Sequence, residues 1–253
     1  MTIWVLSDLH LALSVPEKTM EVFGLPWKDY TRRIKENWKA SVGSDDLVLI
    51  PGDICWAHKV EEAIVDLNWI DALPGTKVIL KGNHDYWWPS SKRLMEMLPP
   101  SIHYVYNNVF NWNGVSIGGT RLWDSSEYNF DAIIEQVENP FEKKKSEEEI
   151  EVEKKQAVKI FDREIERLKL SLSQLDQNAK LRIAMTHYPP ISHDLRDSRV
   201  SKILETYNVN YCVFGHLHNV KKDAPIFGEK NQILYVFASA DYLGFDPLML
   251  ATV

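Results

Sequence analysis

The chain has 253 residues, 45% hydrophobic and 26% charged, with 11 Gly and 12 Pro. These values exclude a disordered, collagen-like or disulfide-dense protein and suit one large domain or a domain carrying an insertion. Lys and Arg number 29 against 36 Asp and Glu, a net charge of −7, which argues against a broad nucleic-acid or anionic-membrane surface and, at first sight, against a phosphate-bearing substrate.

Taken in chain order, the first strand is expected at residues 3–6. A secretory signal would need a basic and then an apolar region there, so a cytoplasmic location is the expectation. Tyr30, Ile34, Trp38 and Val42 recur every four residues and predict a helix with one apolar stripe. A strand at 47–50, a second helix carrying Val60, Ile64, Leu67 and Ile70, and a strand at 78–80 complete a β-α-β-α-β pattern, which predicts a parallel sheet covered by helices. A short helix follows over 90–98, then a strand at 115–117. Residues 142–156 are almost wholly Glu and Lys and run into Phe161, Ile165, Leu168, Leu172 and Leu175. That stripe covers about two heptads, fewer than a coiled coil wants. Residues 140–178 are therefore read as a charged helical insertion packing on a sheet within a single 1–253 domain. Strands at 182–185, 211–214 and 233–237 are closely spaced and expected to be more antiparallel. No apolar run approaches the ~18 residues of a membrane span. Cys55 and Cys212 lie in apolar runs and read as buried free thiols.

Polar residues gather just after the expected strands: Asp8-Leu9-His10, Gly52-Asp53, Gly82-Asn83-His84-Asp85, Thr186-His187 and Gly215-His216-Leu217-His218. The carboxyl ends of strands in an open α/β sheet converge on one crevice. On an extended segment residues i and i+2 point the same way, so both members of Asp-x-His and His-x-His can reach one centre. Taken singly, each motif also reads as ordinary turn or cap chemistry; together, in this order, they predict a shared metal site. Carboxylate, imidazole and amide carbonyl suit manganese, iron or zinc better than calcium or magnesium, and the lack of thiolates excludes a zinc finger. Seven potential ligands exceed what one ion takes, so two divalent ions are expected.

These five blocks, spanning residues 8–218, resemble the calcineurin-like metallophosphoesterases. The resemblance implies an α/β fold: a four-layer αββα sandwich of two mixed sheets flanked by helices, with a dinuclear centre. Asp8, His10 and His218 would hold one ion, Asn83, His187 and His216 the other, and Asp53 would bridge them. His84 would be the catalytic acid rather than a ligand. Many members carry an Asp three residues after the bridging Asp that supports this His; here Trp56 stands there, which leaves the orienting partner of His84 open. Asp85 is a candidate, and His58 a weaker one. The implied activity is hydrolysis of a phosphomonoester or phosphodiester by a hydroxide generated at the metals, with manganese expected to support activity in vitro.

Arg121 follows a strand and is a candidate phosphate clamp or a surface ion pair with Asp124. Trp56, Tyr86, Trp87, Trp88, Trp123 and Tyr188 crowd the motifs, as loop packing or as a wall of the substrate cleft. Two other functions compete. A nuclease needs a basic track, and Lys143-Lys144-Lys145 is bounded by glutamates. A scaffold that lost the reaction would lack ligands or the catalytic His, and all are present. The expected partner is a small or medium-sized phosphoester rather than nucleic acid. Two divalent ions would outweigh Asp8 and Asp53 and turn a pocket that repels phosphate into one that attracts it.

Overall fold

The computed structural model describes residues 1–135, 146–224 and 226–253. β1 (Thr2–Val5) is followed by three short 3-10 turns between residues 16 and 27 and by α1 (Tyr30–Ser41). Next come β2 (Leu47–Ile50), α2 (Val60–Asp71), β3 (Thr76–Leu80), α3 (Ser91–Met97), β4 (Ile102–Val105), β5 (Phe110–Trp112) and β6 (Val115–Thr120). The second half carries α4 (Glu147–Leu172), β7 (Leu181–Thr186), α5 (Arg199–Thr206), β8 (Tyr211–Phe214), β9 (Gly228–Lys230), β10 (Ile233–Phe237) and β11 (Leu248–Thr252).

Two mixed sheets result. One has the order β11-β1-β2-β3-β4 and the other β5-β6-β7-β8-β10-β9. β1 to β4 pair parallel, with β11 antiparallel on the outer side of β1. In the second sheet β6, β7, β8 and β10 also pair parallel, and only the edge strands β5 and β9 are antiparallel. The expectation that the later strands would be largely antiparallel is thus corrected. The stretches between them hold crossovers, α4 between β6 and β7 and α5 between β7 and β8, and parallel neighbours require such connections.

Strand alternation builds the layers. Ile3, Val5, Leu47, Leu49 and Val78 meet Val115, Ile117, Ile183, Met185 and Val213 in an apolar layer between the sheets. The alternate residues Val48, Ile50 and Ile79 turn outward onto Ile34 and Trp38 of α1 and Leu67 and Ile70 of α2. On the far side Ala184, Cys212 and Phe214 meet Phe161, Ile165, Leu168 and Leu172 of α4 and Leu204 of α5. The architecture is the four-layer αββα sandwich. Both cysteines are buried and unpaired. Among the described residues no helix is long and apolar enough to cross a membrane.

The stripe from Phe161 onward packs on the second sheet, whereas Ile150, Val152 and Val158 are exposed. Residues 140–145 of the charged segment lie outside the described residues. Ser146 and Glu149 form a capping box at the start of α4, and Glu147, Glu148 and Glu149 suit the positive end of the helix dipole. Further along, the buried Glu164 accepts from the Thr120 hydroxyl (2.6 Å) and pairs with Arg167 (2.7 Å), fixing α4 over the end of β6.

Leu168→Ala should lower unfolding free energy by about 2–5 kcal/mol in urea denaturation, while Val152→Ala on the exposed half of the same helix should change it by less than about 0.5 kcal/mol. Equal effects would contradict this division of α4.

Candidate metal centre

The predicted ligands come together at the carboxyl ends of β1, β2, β3, β7 and β8. Two structural demands make this possible. Asp8, His10, Asp53 and His216 all have positive φ, between 45° and 72°, a conformation that costs roughly 1–3 kcal/mol in a non-glycine residue and persists only where the surroundings enforce it. Backbone bonds enforce it here: the Asp8 N–H donates to the Gly52 carbonyl (3.1 Å) and the His10 N–H to the Asp53 carbonyl (3.0 Å). Close approach is the second demand. A Cβ on Gly82 would strike Asp53, and one on Gly215 would strike Asp8 and Ser7.

Asp8 and Asp53 are fully buried and their carboxylates are held by main-chain donors. The His216 N–H points at both Asp8 oxygens (3.1 and 3.0 Å), the Ser239 hydroxyl donates to Asp8 Oδ2 (3.1 Å), and the His84 N–H donates to Asp53 Oδ1 (2.9 Å). Imidazoles close around the remaining lone pairs. Asp53 Oδ2 lies 3.6 Å from His10 Nε2 and 3.4 Å from His187 Nε2. Asp8 Oδ1 lies 3.9 Å from His10 Nε2 and 3.7 Å from His218 Nε2. Asn83 Oδ1 faces His187 Nε2 at 2.7 Å and His216 Nδ1 at 3.0 Å.

Electrostatics follows from this crowding. Burial alone would raise the Asp53 carboxyl, but His187 and His10 overcome it and hold it well below the usual carboxylate range. Burial pushes Asp8 up, partly offset by His187 and His218. Burial disfavours a charged His187, yet Asp53 and Asp8 carry it up to about 9. His10 has no such net help, and burial takes it down to about 3.

The donor set fits a cation. His187 Nδ1 sits 3.0 Å from the Pro51 carbonyl, which only accepts, so this nitrogen carries the hydrogen and the Nε2 lone pair faces the Asn83 and Asp53 oxygens. His218 Nδ1 likewise donates to Asp241 Oδ1 (3.0 Å), turning its Nε2 toward Asp8 and toward His10 Nε2 at 3.1 Å. Acceptors aimed at acceptors require a proton or a metal ion between them. Asp8, His10 and His218, and again Asp8, Asp53 and His187, lie close enough to share an ion.

The remaining predicted residues are placed as follows. His84 sits beside the predicted ligands, and its ring Nδ1 is buried without a hydrogen-bond partner among the described residues. Trp56 packs against both rings, near-parallel to His10 at 5.1 Å and tilted to His84 at 4.4 Å. Asp85 is buried, and its oxygens accept from the N–H groups of Ile54 (3.0 Å), Cys55 (3.3 Å) and Gly82 (2.7 Å) and from Trp87 Nε1 (3.2 Å). It thereby rivets the loop after β2 to the loop after β3; burial pushes its carboxyl up to about 6. The His58 N–H is bound to Glu62 and its ring lies 5.1 Å from Tyr86, outside the ligand set. The Arg121 carbonyl accepts from the His187 and Tyr188 N–H groups (3.1 and 3.0 Å), and its guanidinium lies 4.6 Å over Trp123. Trp87 and Trp88 belong to the core.

Sequence reasoning missed Asp241. It stands just past β10, at a strand end like the other site residues, and that position was its only signal. Trp27 was missed as well; it packs edge-on against His10 and His218 at 5.9 and 5.7 Å.

Two stacked sheets here bring acidic and imidazole side chains together at their strand ends, an arrangement able to hold divalent ions. The family model described as calcineurin-like phosphoesterase matches residues 1–220, and the chain belongs to that family. It is similar to Gene 66 protein of Mycobacterium phage L5, 34% identical over 84 residues (32% of this chain and 39% of that protein). It is also similar to Gene 66 protein of Mycobacterium phage D29, 29% identical over 110 residues (44% and 51%). The matched stretches span about half or less of those relatives. Among solved structures, phosphopantetheinyl hydrolase PptH from Mycobacterium tuberculosis aligns over 98% of this chain and 95% of its own, with a TM-score of 0.53 and 15% identity, a likeness of fold.

Asp241→Asn should weaken binding of a divalent ion about 10–100-fold in a competitive chelator titration, because the carboxylate that orients His218 is lost. An unchanged affinity would exclude His218 from the ligand set.

Proposed function

We propose that this protein is a phosphoesterase that works with two divalent metal ions, with Asp53 as a ligand that would serve both. The observation that carries this reading is the convergence of seven side chains able to ligate a metal, with one oxygen, Asp53 Oδ2, facing both His10 and His187. Asp8, His10 and His218 would hold one ion and Asn83, His187 and His216 the other. Bound there, the ions would activate water at neutral pH and draw charge from the phosphoryl oxygens.

The chain's own residues supply the rest. Main-chain N–H groups fix the Asp8 and Asp53 carboxylates, so the site is organised before substrate arrives. His84 stands at the edge of the ligand set, 5.6 Å from the His10 ring, and would give a ring proton to the leaving oxygen. Burial lowers its pKa, while the Asp53 carboxylate opposes that shift and favours the protonated ring this role needs. Trp56 supports the His84 ring by packing where a hydrogen-bonding acid would otherwise stand. Asp85 acts on His84 through the loop it rivets. Arg121 would contact the phosphoryl group from the β6 side. Manganese as the supporting ion and a cytoplasmic setting, consistent with two free buried thiols, belong to the same reading.

Protein stripped with a chelator should hydrolyse aryl phosphate monoesters or diesters only after manganese, iron or zinc is restored. No turnover of either ester or of a nucleic acid with any of these ions would overturn the proposal. His84→Ala should reduce kcat about 10²–10⁴-fold while the protein retains its metal; parallel loss of metal would make His84 a ligand instead. Arg121→Ala should raise KM with kcat nearly unchanged, and an unaltered KM would remove Arg121 from the substrate site.

A further inference from the structure

We propose that the cavity beside His216 receives the organic half of the phosphoester, and that this half is a ring-sized group bearing hydrogen-bond donors or a positive charge, with no second phosphate. The inference rests on the phosphoesterase reading above and names the substrate class for that site. The cavity measures about 370 Å³, at the small end of ligand pockets. Two larger hollows, on the α4–α5 face and at the start of α4, share no residue with the ligand set.

Position comes first. His216 lines the cavity, and its Nδ1 faces Asn83 Oδ1. Tyr188 lies against the His216 ring at 3.8 Å and forms the same wall. A molecule whose phosphoryl group sat on the ligand set would therefore have this cavity as a neighbour. The walls are also fixed in advance. Trp123 is braced by the Arg121 guanidinium at 4.6 Å and by Tyr188 at 5.1 Å, and the Tyr128 hydroxyl donates to the Pro189 carbonyl at 2.7 Å. Prepositioned aromatic walls favour a flat apolar body with polar edges.

Charge then selects among such bodies. Among the described residues Asp124 and Asp131 line the cavity and no Lys or Arg does. Arg121, the guanidinium on this side, is held over Trp123 and is not part of the lining. Among the described residues neither carboxylate has an ion-pair partner. A second phosphate would meet two negative charges, while an amine, amide or sugar hydroxyl would find acceptors.

The test uses manganese-loaded protein and two readouts. The first is calorimetric binding of phosphate-free rings: adenosine, cytidine and pyridoxamine. At least one should bind saturably below millimolar concentration, and the Asp124→Asn/Asp131→Asn variant should bind it at least tenfold more weakly. Failure of all three to bind, or equal binding by the variant, overturns the proposal. The second readout is kcat/KM for adenosine 5′-monophosphate against adenosine 3′,5′-bisphosphate, which differ by one phosphate. The monophosphate should be preferred at least tenfold, and the variant should lose that preference; no preference in the native protein overturns the proposal. If no phosphoester is hydrolysed at all, the proposed function fails, and binding of the phosphate-free rings still decides what the cavity takes.

Discussion

Two carboxylates buried side by side are the constraint around which this end of the molecule is organised. Desolvating Asp8 and Asp53 is expensive unless each lone pair finds a donor or a cation. Main-chain N–H groups from two other loops take one side of each group, and imidazoles take the other. The imidazoles are themselves oriented from behind, His187 by a carbonyl and His218 by Asp241. Placing two acids where the sheets meet thus dictates the loop conformations, the glycines and the histidines together.

The sandwich supplies what that arrangement needs. Parallel strands in both sheets send their carboxyl ends toward one edge, so loops distant in sequence become neighbours. The continuous apolar layer between the sheets keeps the two sets of loops in register. Asp85 adds a local lock, joining the segment that carries Asp53 to the one that carries Asn83 and His84. The motif loops are therefore closely tied, while the 121–131 segment, which contributes Trp123, Asp124 and Tyr128, forms the wall next to them.

Much of this was legible in the sequence because strands buried on both faces read as unbroken apolar runs, and the polar residues that follow them stand out. β2, with all four residues buried, is the clearest case. Other elements carried no such signal. β9 is Gly-Glu-Lys and is a strand only through its bonds to β10. β11 is half-exposed and paired on one side. α5 has eight residues, three of them buried, a weak apolar signal for the crossover that makes β7 and β8 parallel. The buried face of α2 includes Asp66, which accepts from the Leu13 N–H, so a count of apolar positions misplaces that face. Asp241 belongs to no motif, and its role depends on a contact with a residue 23 positions away. The mate of His84 was sought among hydrogen-bonding groups, whereas the structure sets the Trp56 ring beside it.

The left-handed backbone at Asp8, His10, Asp53 and His216 has a consequence for how the site can be dissected. Alanine there removes a functional group and at the same time leaves a residue poorly suited to that φ, so one substitution perturbs two things. Asparagine tolerates this region far better. Asp8→Asn and Asp53→Asn would withdraw a negative charge while leaving shape and chain path nearly intact, and comparison with the alanine variants would separate the electrostatic contribution of each acid from its part in bending the loop.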